Sequence, residues 1–204
     1  MEDIVRLSKA QYEFLRLMAF GGDSNSYHAA SKNAYLDLCR TIRFQNTTIE
    51  MREDLRERVA RLIEKAIDRD IADKDHTQLS YDRWHRVLCD EIQQSYRQAG
   101  VEFYLGQSQK WLNMAMKYLC VLNDPATRPV YPYLHVPIDK YIYQAAKREF
   151  HIMPISAAWS RIDNYEDYYS YQVAIRSALI IPPMEWEFSA WARMAAGAKQ
   201  KSDR

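Results

Sequence analysis

Cysteine is scarce in this 204-residue chain, with only Cys39, Cys89 and Cys120, an odd and widely spaced set. Such a set excludes a disulfide framework and points to a reducing compartment. No Cys-x-x-Cys occurs, which rules out a zinc ribbon or iron–sulfur cluster built on closely spaced thiolates, and no His-Glu-x-x-His or carboxylate cluster marks a metal. The reading therefore carries no metal and no cofactor. Glycine (5) and proline (7) are also few, leaving little material for linkers or turn-rich sheets. No apolar run approaches the roughly 18 residues of a membrane helix. Met1 to Lys9 is charged and lacks an apolar signal core. The expected place is the cytoplasm, with no membrane partner. Charge of one sign is missing as well: the formal net charge is +1, so no global field draws nucleic acid, and any basic face must be local.

What is present is helical. Apolar residues make up 48% and charged residues 27% of the chain, an ordinary globular balance sized for one domain. Helical spacing predicts helices over Glu2–Ala19, from a Ser26 cap through Ala34 to Arg40, over Ile49–Ala72, and from Ser80 to a stop at Gly100. Tyr81, Trp84, Leu88, Ile92 and Tyr96 form one apolar stripe. A further helix is expected from Ser108 or Gln109 to about Leu122. Three prolines between Pro125 and Pro132 forbid an α-helix there. Asp139 is placed to cap Lys140–Glu149, Asp163 to cap a helix through Leu179, and Met184–Ala195 is the last helix. Strand-like alternation is nearly absent. The expectation is an all-α domain over residues 1–198 with a disordered tail over 199–204.

The chain is organised around Tyr104–Phe150. Leu105-Gly106-Gln107-Ser108-Gln109-Lys110 reads as a short turn delivering Lys110 to a helix start, and Val136-Pro137-Ile138-Asp139 as an extended segment delivering Asp139 to the next. Helix, glycine turn, lysine and Val-Pro-x-Asp, in this order, resemble the helix-hairpin-helix DNA glycosylases, and within them the 8-oxoguanine DNA glycosylase/AP lyase branch with the longer loop of the archaeal type. The resemblance covers about residues 81–150. It implies a Leu-x-Gly-x-Gly-x-Lys turn that carries the catalytic lysine and grips DNA phosphate, here through Gly106 and Ser108. Ser108 stands where the family has its second glycine. The resemblance also implies that Asp139 is the catalytic aspartate and that the excised base is 8-oxoguanine-like.

The chemistry can be argued from the residues themselves. Cleaving an N-glycosidic bond leaves a cationic sugar, which calls for a nearby anion, Asp139, and a nucleophile, Lys110. A helix N-terminus would supply positive potential to hold the lysine neutral. An extruded base needs apolar or aromatic walls. Met114 lies one turn beyond Lys110, and Trp186, Phe188 or Trp191 could oppose it; His135 lies near Asp139. Arg97 to Arg161 holds eight basic residues against four acidic ones, and Arg128, Lys140, Lys147 and Arg148 are the candidate phosphate contacts. Each assignment has a plainer competitor. Lys110 could be a surface lysine, Asp139 only a cap, Met114 and the tryptophans core, and His135 structural. Two functions follow: a base-excising glycosylase with lyase activity on DNA, or a glycosylase-fold module that binds nucleic acid, nucleotide or a protein partner without cutting. The second resembles accessory components of bacterial antiphage systems.

Overall fold

The computed structural model describes residues 8–72 and 74–202, with side chains described as far as residue 197. Among the described residues eight α-helices run in order: α1 Lys9–Phe20, α2 Ser26–Leu36, α3 Ile49–Asp70, α4 Gln78–Gln98, α5 Leu105–Val121, α6 Lys140–Phe150, α7 Tyr165–Ser177 and α8 Pro183–Ser202. No strand occurs among the described residues, so the class is all-α.

Caps set most of these boundaries. Asn25, rather than Ser26, caps α2, accepting from the N–H groups of Tyr27 and His28. Thr77 caps α4 three residues ahead of Ser80, and Asn164 rather than Asp163 caps α7. In each case a short polar side chain sits in extended backbone, the geometry that satisfies the first orphan donors of a helix. α4 stops where Gly100 takes a φ of 73°, a left-handed conformation cheap only for glycine. α2 ends at Leu36, and Arg40 lies instead on a short 3-10 turn, Cys39–Thr41. The proline loop holds two more such turns, Pro125–Thr127 and Tyr131–Tyr133. α8 runs through Ser202, beyond its expected end and into the segment expected to be disordered; residues 203 and 204 lie outside those described. The first residues of the expected Glu2–Ala19 helix also lie outside them, and α1 begins at its Ser8 cap.

α5 is the hub. All but three of its seventeen residues are buried, the signature of a helix surrounded on every side. It packs against α2 and α4, α3 braces both of those, and α6 pairs with α8. Tyr81, Leu88, Ile92 and Tyr96 on α4 are inside, as their stripe predicts. Trp111 of α5 is fully buried with its indole N–H donated to the Ser31 carbonyl on α2 at 2.9 Å. α1 is the exception: none of its residues is buried, and Phe14, Leu15, Leu17 and Met18 face outward. Its apolar spacing specified a helix without specifying a partner for it.

The start of α5 departs from the sequence reading. Leu105 to Lys110 is not a turn but the first six residues of the helix, capped at Tyr104. Gly106 donates its N–H to the Ile162 carbonyl at 2.8 Å, and the N–H groups of Gln107 and Ser108 donate to the Tyr104 carbonyl. Gly106 and Ser108 are buried. A Cβ on Gly106 would come within 1.8 Å of the Trp159 carbonyl oxygen. The glycine is therefore required for close backbone packing against the Trp159–Arg161 turn, and neither it nor Ser108 is available to a phosphate.

Candidate functional site

Asp139 is held in extended backbone by the Val-Pro segment before it, and its Oδ1 caps α6 by accepting from the N–H groups of Tyr141 and Ile142 at 2.8 and 3.0 Å. That leaves Oδ2 free to point at α5. There it accepts from Lys110 Nζ at 2.8 Å, and from the Trp191 indole N–H of α8 at 3.2 Å. Both ends of the ion pair are nearly out of water, with side chains 5% and 12% exposed. Lys110 thus reaches Asp139 from the second turn of α5, not from its first. The helix-end potential fades within one turn, so the dominant charge acting on Lys110 is the carboxylate beside it.

The pair forms one wall of a cavity of about 250 Å³, lined also by Asp37, Arg40, Met114, Lys117, Tyr118, Tyr141 and Trp191. Met114 and Trp191 therefore do share a pocket with Lys110 and Asp139. Tyr141 meets Trp191 edge-on with ring centroids 5.7 Å apart, a favourable aromatic geometry. Lys117 is bound to Glu187 of α8, with both carboxylate oxygens within 2.9 Å, and its ammonium lies 5.4 Å from the Trp191 ring centre. Asp37 accepts from the Tyr118 hydroxyl at 2.8 Å.

These charges act on one another. Burial pushes the Asp139 carboxyl upward, but the Lys110 ammonium and the two capping N–H groups outweigh it, and the net shift is downward. Burial also raises Asp37 and Glu187; for these the opposing pull of Tyr118, Lys110 and Lys117 does not cancel it. The pocket thus holds one firmly ionised carboxylate, Asp139, beside one that gains protons more readily, Asp37.

The other sequence candidates lie elsewhere. Trp186 is buried and donates its indole N–H to Glu149 at 2.8 Å, tying α8 to α6 and contributing nothing to the cavity wall. His135 is buried between Asp82, 2.8 Å from Nε2, and the Tyr168 hydroxyl, 2.9 Å from Nδ1. It belongs to a polar network with His85 and Asn113 that joins α4, α5 and α7. Its role is structural, because every polar atom of the ring is committed inside the core. Arg128, Lys140, Lys147 and Arg148 are exposed. Lys140 does not line the pocket, but its ammonium lies 4.7 Å from the ring centre of Tyr141, which does. Arg128 lines a different groove, with Tyr131 and Phe188.

Sequence reasoning missed Asp37, Arg40, Lys117, Tyr118 and Tyr141 as pocket residues. Asp37 and Arg40 come from the other end of the chain, and no local pattern linked them to Lys110. Tyr141 follows the Asp139 cap by two residues, and that spacing could have signalled it.

No known family, curated protein or solved structure matches this chain. No described helix is long and apolar enough to cross a membrane.

Proposed function

We propose that the protein is a helix-hairpin-helix-type DNA glycosylase with AP lyase activity, which excises a modified, 8-oxoguanine-like base through a Schiff base on Lys110. The observation that carries this reading is the meeting of Lys110 and Asp139 at 2.8 Å in one pocket with Met114 and Trp191. A nucleophile, an anion and two candidate base walls, from two helices and one cap, converge on a single cavity. Its volume of about 250 Å³ falls just below the roughly 300–1,000 Å³ of most small-molecule sites, a size for one everted nucleotide rather than a larger ligand.

The geometry gives each group a step. An extruded base lies against the Trp191 ring, with Met114 on the pocket wall. In the resting pair Lys110 is an ammonium and cannot attack. The lysine gives its proton to the departing base, which leaves with the electron pair of the broken glycosidic bond, and the amine so freed bonds to the anomeric carbon. Asp139 stays ionised through this step and offsets the sugar charge. Ring opening moves a proton from the nitrogen to the ring oxygen and gives the protonated imine; loss of a C2′ proton to Asp139 then expels the 3′ phosphate.

One observation favours the second reading, a glycosylase-fold module that binds nucleic acid, nucleotide or a protein partner without cleaving it. The N–H groups of Gly106, Gln107 and Ser108 are spent inside the protein, so this turn offers no grip on DNA phosphate. Incubating the protein with duplexes that each carry one modified base tests the proposal. Release of a free base from one of them is the expected result. Binding to such duplexes without release across the whole panel would favour the module.

A further inference from the structure

We infer that Arg40 is the phosphate-binding residue of this pocket, placed to hold a phosphate flanking the nucleotide whose sugar lies at Lys110. The inference rests on the nucleotide reading of the site. It adds the contact that the start of α5 was expected to make and does not.

Three observations carry it. Arg40 lines the same cavity as Lys110 and Asp139 and is exposed at it. Lys110 is paired with Asp139, Lys117 with Glu187, and Asp37 with the Tyr118 hydroxyl. Among the described residues Arg40 has no hydrogen-bond or ion-pair partner, so it is the cation of the cavity left unpaired, in a lining that also holds the Asp37 carboxylate. A guanidinium without a partner beside a pocket, presenting a planar fork of donors, suits a phosphate, the anionic group of a nucleic acid.

The third observation is how the arginine is held. Its 3-10 turn, Cys39–Thr41, lies between Leu38 and Ile42, both buried in the core. Gln107 on the first turn of α5 ties it down further. Its side-chain amide donates to the Thr41 carbonyl and hydroxyl at 3.0 and 3.1 Å, and its carbonyl accepts from the Tyr104 N–H at 2.9 Å. Gln107 is 2% exposed. The helix that carries Lys110 therefore also fixes the turn that carries Arg40. The segment 105–110 positions a phosphate contact through Gln107 instead of making one with its own backbone.

The test is equilibrium binding of a duplex with a single tetrahydrofuran abasic analogue, which cannot form an imine, across a salt series. Each neutralised phosphate contact changes the slope of log affinity against log salt by about 0.9. Arg40→Gln should lower the slope by about one and weaken binding several-fold, Arg40→Lys should restore most of the slope, and an uninterrupted duplex should show a smaller loss. A slope unchanged in Arg40→Gln, with wild-type binding intact, overturns the inference and leaves the glycosylase reading standing. Wild type that binds no DNA at low salt overturns both. Arg40 is exposed and makes no internal bond, so loss of fold does not confound the variant.

Discussion

Asp139 performs two tasks with its two oxygens, and substitutions can separate them. Oδ1 caps α6, and Oδ2 holds Lys110 and Trp191. Asparagine caps nearly as well as aspartate, so Asp139→Asn should keep α6 while stranding the Lys110 ammonium in a nearly dry site. Removing one partner of a buried pair costs about 3–5 kcal/mol, and the low end applies because the cavity opens to water. Lys110→Met should cost a similar amount, and the double variant much less than the sum of the two. Denaturant unfolding of the four proteins measures this; additive costs would mean that the pair is not coupled. The pH dependence has a definite sign. The folded carboxyl titrates below the ordinary 3.8, so its stabilisation is fully present above pH 4 and is lost as pH falls through 3.8 and then through the folded value. Asp82 acts in the same direction: burial raises it, but His135, Gln78 and Tyr169 bring it down to about 2. Acid unfolding followed from pH 6 to 2 should therefore show a shallower limb in Asp139→Asn than in wild type. An unchanged limb would remove Asp139 from the account.

At the scale of the helix, Gly106 decides what the first turn of α5 is for. Gly106→Ala would drive a methyl into the Trp159 carbonyl, and overpacking of this kind costs typically 1–3 kcal/mol. A fall of at least that much in the free energy of unfolding, read from the denaturant transition, is expected, with DNA affinity per folded molecule little changed. Full stability with weakened DNA binding would instead restore the glycine to a phosphate-gripping hairpin. The sequence was legible here in part. The Tyr81–Tyr96 stripe, the Gly100 stop and the Asp139 cap are local patterns, and each is found where its residues put it. The lysine–aspartate pairing was expected from the resemblance that singled out both residues, not from a local pattern that sets the distance between them. The turn at 105–108 misled, since a glycine that permits a tight turn also permits close packing inside a helix. Only the partner, Trp159, distinguishes the two, and it lies more than fifty residues away. Asp37 and Arg40 were illegible for the same reason: their relation to Lys110 exists only once α2 has packed on α5.

For the whole molecule, the near-neutral charge means that attraction to DNA must come from a local face rather than from the global field. Affinity for duplex DNA should fall with salt, and replacing Arg128, Lys140, Lys147 and Arg148 together by glutamine should reduce the log–log slope by about 3.6. An unchanged slope would place the interface on another surface. The central claim, that the Lys110 amine attacks the sugar, has a more direct measurement. Borohydride reduces an imine to a permanent amine, so wild-type protein incubated with an abasic duplex and borohydride should migrate as a covalent protein–DNA adduct on a denaturing gel. Lys110→Gln has no amine and should form none while still binding the duplex. Adduct formed by Lys110→Gln as readily as by wild type would show that another amine is the nucleophile and contradict the account.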